Sequence, residues 1–147
     1  MGKADMGRVL AGGILAGLVF SVLELVVNVG LLGGRWMAVF DGTGLVFPFA
    51  AVFLWGVGGI ALCIVGVWLY VALRPCAGPG PRTAMIAGTV LWCGAFAYPS
   101  LGLFATPAFP GWLVAFAMVW GLVELNLAML AGAWFYREDE ALPGRAT

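Results

Sequence analysis

The sequence predicts an all-α, polytopic membrane protein of four transmembrane helices with both termini in the cytoplasm, and three observations predict it. Hydrophobic residues make up 63% of the 147-residue chain and charged residues 10%, with a mean hydropathy of +1.06. That balance is far from that of a water-soluble domain. Four apolar runs, about 9–32, 46–73, 83–104 and 112–136, each supply the ~20 helical residues needed to cross ~30 Å of hydrocarbon. Six of the seven basic residues (Lys3, Arg8, Arg74, Arg82, Arg137 and Arg145) fall on one side of these runs and only Arg35 on the other. By the positive-inside rule the side richer in basic residues is cytoplasmic. The whole chain, 1–147, reads as a single domain.

The first run follows Lys3 and Arg8 and so imitates a signal peptide. Its length, the presence of Glu24 and the want of a small-residue cleavage site predict a retained helix instead. The outer connection, Gly33 to Gly44, carries Arg35, Trp36, Met37, Val39, Phe40 and Asp41. Aromatic residues beside charge suit the headgroup layer, so Arg35 to Phe40 is expected to form a short interfacial turn, as an anchor or as a lid over a site opening outward. Pro48 is placed in the first turn of the second run, where its missing amide hydrogen matters little.

Pro75-Cys-Ala-Gly-Pro-Gly-Pro81 then makes a tight connection between Arg74 and Arg82. In the third run Pro99 predicts a kink or an early helix end near Tyr98. Trp68, Tyr70, Trp112, Trp134 and Tyr136 lie near run ends and read as interfacial belt residues.

Several functions are excluded by what the chain lacks. It has no histidine and no CxxC, so zinc, haem and iron–sulfur sites have no usual ligands, and no metal or cofactor is expected. Cys63 and Cys93 lie within apolar runs and read as small fillers, and Cys76 lies in the connection placed in the cytoplasm. Seven acidic residues balance seven basic ones, leaving no basic surface for nucleic acid. Without a Ser–base pair or a cluster of aspartates at an interface, no nucleophile assembles, and an enzyme is not expected.

The informative residues are Glu24 and Glu124, each near the middle of an apolar run that contains no Lys, Arg or His. An ionisable group at that depth is costly and marks a functional site by default. Glu24 lies between Arg8 and Arg35, and Glu124 between Trp112 and Arg137, so both arrive at similar depth on oppositely directed helices. If the first and last helices pack side by side, the two carboxyls can face each other. Burial without a cationic partner favours the neutral form, and at least one is expected to be protonated at neutral pH.

Gly13, Gly17, Ser21, Glu24 and Asn28 follow at intervals of four, four, three and four, which is one helical stripe. It opens as GxxxG, a pattern that admits close backbone approach. Ala117, Gly121, Glu124, Ala128 and Ala131 make a similar stripe on the fourth run. Ser21 and Asn28 are within reach of Glu24, and the Asn28 amide can bond a neutral or a charged carboxyl. Asn126 lies about 200° around the helix from Glu124 and is expected to meet another neighbour, through Thr89, Tyr98 or a tryptophan of the third run. The windows Val22 to Leu32 and Leu122 to Gly132 share a Glu-Leu core, and both a short internal repeat and a chance match of leucine-rich helices stay open.

The stretch from Gly66 to Ala84, with its Arg-Pro…Gly-Pro-Gly-Pro-Arg connection, together with Ala11 to Gly17 and Leu130 to Tyr136, resembles a group of uncharacterised small bacterial four-helix membrane proteins. The resemblance implies a bacterial inner-membrane location and no activity. Two functions are therefore expected. One is association in the bilayer, as a homo-oligomer or as an accessory subunit of a membrane complex, with the glutamates in an interhelical polar network. The alternative is a small proton- or cation-coupled transporter using Glu24 and Glu124 as the exchange site.

Overall fold

The computed structural model describes residues 5–44 and 49–138, with side chains at 5–44 and 52–136. The expectations for Pro48, Lys3 and Arg145 lie outside the described residues. Helix α1 (Met6–Glu24) starts at Asp5, whose carboxylate accepts from the amides of Gly7 (3.0 Å) and Arg8 (3.3 Å) and pairs with Arg8 Nε at 3.2 Å. This N-cap satisfies amides that otherwise lack partners. Asp5→Ala is expected to cost about 1 kcal/mol in reversible unfolding from mixed micelles, and Asp5→Asn, which keeps the acceptor, a few tenths at most.

Beyond Glu24 the helix widens into a π-helical segment, Leu25–Leu31, and a short helix α2 (Gly33–Thr43) follows, ending at Gly44 with φ +69°. The 33–44 connection is thus a helix of three turns, longer than the turn expected from its sequence. Helix α3 (Phe49–Ala77) contains Pro75 and carries the chain past the expected start of the connection. A proline there forfeits only a bond of the last turn, so the helix persists. The link is then Gly78 to Gly80, where Gly78 (φ +78°) and Gly80 (φ +145°) adopt backbone that other residues avoid. The buried Thr83 hydroxyl closes it by donating to the Gly78 carbonyl at 2.6 Å.

Helix α4 (Pro81–Trp92) passes through a second π-helical segment, Cys93–Ala97, into α5 (Tyr98–Phe104). Pro99 has no amide hydrogen and its ring crowds the carbonyl four residues back. The backbone answers with wider bonding, Tyr98 N–H to the Cys93 carbonyl, so of the kink or early end expected near Tyr98 the early end does not occur and the helix continues to Phe104. Helix α6 (Gly111–Glu138) completes the chain.

Among the described residues there is no strand, and four helical spans are long and apolar enough to cross a membrane: Met6–Leu31, Val52–Ala77, Pro81–Phe104 and Gly111–Tyr136. The spans alternate in direction. Helices α1 and α4 each pack between α3 and α6, closing a four-membered bundle whose outer wall is studded with exposed Leu18, Val22, Phe53, Leu54, Trp55, Val119 and Trp134. Arg8, Arg74 and Arg82 mark one end, called here the terminal end, and α2 with Arg35 marks the other.

Glycine sets the closest approaches. A Cβ on Gly13 would lie 2.5 Å from Ile64 Cα, and one on Gly17 2.7 Å from Ile60 Cα, so α1 and α3 touch backbone to backbone. On the α1–α6 side, a Cβ on Gly132 would meet the Gly12 carbonyl oxygen at 2.9 Å and the Ala16 Cβ at 3.0 Å. Gly121 is filled from across the interface by the Phe96 ring, and Ala128 is fully buried. Ala117 is half-buried.

Three aromatic and cysteine assignments change. Tyr70 and Tyr136 are 0% and 5% exposed and stack edge to face at 6.4 Å, with the Arg74 guanidinium 5.9 and 5.3 Å from their ring centroids. They are core residues, each ring packed against the other and against the buried cluster between the helices. Trp68, Trp112 and Trp134 do face outward. Cys63 is buried, but Cys93 lies on the exposed wall and fills no interior space.

Candidate functional site

Register places the two glutamates. Helices α1 and α6 are antiparallel, and Gly132 sits between Gly12 and Ala16, so the numbers of facing positions sum to between 144 and 148. Eight residues further along each helix, a little over two turns, Glu24 meets Glu124 at the same level. The two carboxyls interact electrostatically. Small residues at positions 12, 16 and 132 let the helices come close enough for that meeting.

Glu124 is 0% exposed, and neither of its carboxyl oxygens has a hydrogen-bond partner. The Glu24 carboxyl and the Trp120 indole sit beside it, near enough to act on its charge, and a proton on either carboxyl is what would join the two. Cys63 of α3 comes near enough to sense the Glu124 charge. The Ser21 hydroxyl, one turn from Glu24 toward the terminal end, is also buried without a partner. Buried polar atoms are nearly always satisfied in folded proteins, and each one left alone costs on the order of 1–3 kcal/mol.

The Glu24 side is bonded. Asn28 Nδ2 donates to Glu24 Oε2 at 2.8 Å, and Asn28 Oδ1 accepts from Trp36 Nε1 at 3.2 Å. The chain of contacts Glu124, Glu24, Asn28, Trp36 therefore runs from mid-bundle to α2. Asn28 lies within the first π-helical segment, a local form that recurs at functional sites. Helix α2 is held a second time by Arg35, whose guanidinium carbon lies 5.8 Å from the Trp112 ring centroid.

Asn126 stands apart from this group. Its Nδ2 donates to the Leu122 carbonyl at 2.8 Å, and its Oδ1 lies against Gly88 of α4, 3.0 Å from where a Cβ would sit. The expected partners Thr89 and Tyr98 are exposed, Tyr98 by 75%. The tryptophan that ties the third span to the fourth is Trp92, which donates to the Met118 carbonyl at 2.7 Å.

Sequence reasoning did not place Trp36, Trp120 or Cys63 beside the glutamates. Trp120 is one helical turn before Glu124, a spacing that was readable. Trp36 was read as part of an interfacial anchor or lid, and Cys63 gave no signal beyond its apolar surroundings. Among the described residues no group of three His, Cys, Asp or Glu side chains is placed to hold a metal ion.

Comparison with protein-family models, curated proteins and solved structures finds no match.

Proposed function

We propose that this chain is a small integral protein of the bacterial inner membrane, with both termini cytoplasmic, that exchanges protons at Glu24 and Glu124 in step with movement of a cation. Four long apolar spans, an apolar outer wall and the gathering of Arg8, Arg74 and Arg82 at one end support the membrane placement. The observation that carries the function is the carboxyl of Glu124, fully buried, facing a second carboxyl, with both oxygens unpartnered. A network selected only to fix packing would satisfy its members. Two carboxyls that meet at one depth without a fixed cation hold a charge that depends on what is bound, and competition between a proton and a cation for that charge is the basis of coupled exchange.

Proteoliposomes enclosing a pH-sensitive dye test this, with gradients of sodium, potassium and tetramethylammonium applied in turn. A cation-dependent change of internal pH that Glu24→Gln and Glu124→Gln both remove supports the exchange function. No response to any of the three, with assembly unchanged in both variants, favours association.

Association keeps one observation of its own. Gly56 and Gly58 of α3 have open space where a Cβ would project, and small residues on an outer face admit another helix. Native mass spectrometry of Gly58→Leu against the wild-type chain decides: loss of a discrete dimer in the variant assigns that face to a second copy.

A further inference from the structure

We propose that protons reach the Glu24–Glu124 pair from the α2 end alone, and that Trp36 latches α2 over that route as a lid. The proposal rests on the proton-exchange function above and adds its sidedness and its gate.

The polar groups around the pair are unevenly distributed. Toward α2 lie Asn28, the unpartnered Trp120 indole and then Trp36. Toward the terminal end, past the Ser21 hydroxyl, the helices close on Ala16, Val67, Met129 and Ala133, all buried and apolar, before the buried Tyr70 hydroxyl is reached, and the Gly12–Gly132 approach leaves no gap between α1 and α6. A proton moving that way crosses several turns of hydrocarbon-like interior. A proton moving toward α2 meets Asn28 and then the Trp36 indole.

An indole N–H donates and cannot accept, so Trp36 cannot pass a proton along. While it is bonded to Asn28 Oδ1, the indole covers the outer side of Asn28 and stands across the route. Opening requires α2 to move. Its boundaries suit that motion: Gly33 and Gly34 begin the helix, and Gly44 ends it in left-handed backbone. Among the contacts that hold α2 are the Trp36–Asn28 bond, the Arg35–Trp112 contact and the burial of Val39. Once α2 lifts, hydronium from the α2 side gives its proton to a carboxylate oxygen of the pair and leaves as water, and the reverse step releases the proton to the same side.

The titratable groups facing the pair are the Cys63 thiol from α3 and the two glutamates themselves, from α1 and α6. Among the described residues of the third span, Arg82 and Tyr98 are exposed, as are Arg35 and Asp41 of α2.

The test uses the full chain in proteoliposomes and infrared detection of the protonated carboxyl stretch after an external pH jump. Cys76, exposed at the terminal end, reports orientation: the fraction labelled by a membrane-impermeant maleimide is the fraction with its terminal end outward. The prompt infrared amplitude is expected to match the unlabelled fraction. Trp36→Phe is expected to accelerate the response about three- to tenfold, the population change that follows from losing one hydrogen bond. Arg35→Gln, which leaves the Asn28 bond intact, accelerates it about twofold, in line with an exposed cation–π contact.

A prompt response of the whole population, or of the labelled fraction, overturns the sidedness, and an unchanged rate in both variants overturns the lid. If the wild-type band fails to respond to pH on both sides of the membrane, proton exchange itself is wrong and the lid falls with it.

Discussion

Gly13→Ala is expected to destabilise the bundle by about 3 kcal/mol, a large effect for the addition of one methyl group. The added carbon would sit 2.5 Å from Ile64 Cα and 2.7 Å from its Cγ1, and a backbone atom cannot rotate aside as a side chain does. Helix α1 must then withdraw from α3, loosening the packing of Val67 and Cys63 behind it. Gly102→Ala is the control. Gly102 lies on α5 with nothing within 4 Å of an added Cβ, so the substitution is expected to be neutral or to stabilise by up to about 1 kcal/mol through helix propensity. Reversible unfolding in mixed micelles measures both, and a similar small effect at the two positions would contradict the close α1–α3 approach.

Glu124→Gln is expected to abolish proton exchange while changing stability by no more than about 1 kcal/mol. Glutamine keeps the length and shape of a protonated glutamate and cannot ionise. Its amide can donate to the Glu24 carboxyl, so a group without a partner in the wild-type chain gains one. Glu24→Gln is expected to remove exchange too, because the function belongs to the pair. It retains an acceptor for Asn28 Nδ2, now at 2.8 Å from Glu24 Oε2. Exchange is read in the dye-loaded proteoliposomes and stability in the same micelle assay. Retained exchange in either variant would show that the carboxyls fix geometry only.

The four spans were legible because hydropathy over twenty residues is a strong signal, and the glutamates because a carboxyl in such a run is conspicuous. What periodicity could not supply was the neighbour. The stripe from Gly13 to Asn28 reads as one face, yet Gly13 and Gly17 seat on Ile64 and Ile60 of α3 while Glu24 faces α6. A stripe spans part of a turn, and α1 lies in the groove between two helices. The contact that sets the α1–α6 register uses Gly12, Ala16 and Gly132; Gly12 and Ala16 adjoin the stripe and neither belongs to it.

The π-helical segments differ in the same respect. Pro99 gave a reason for irregularity near Cys93–Ala97, whereas Leu25–Leu31 carries no such marker. Tyr70 was misjudged by residue type, and Trp36 was read as part of an anchor or a lid without its inward partner. Amphipathic aromatics prefer interfaces on average, but each here has an inward partner, Asn28 for Trp36 and Tyr136 for Tyr70.

The central claim is that the carboxyls of Glu24 and Glu124 form one proton-exchanging pair, and infrared detection of the carboxyl stretch across pH tests it most directly. Coupled sites lose their protons in steps that belong to the pair. Two steps are expected in the wild-type chain, with Glu24→Gln removing one and displacing the other, and Glu124→Gln doing the reciprocal. Two bands that each vanish independently, with the remaining one unmoved, would contradict the pairing and with it the exchange function.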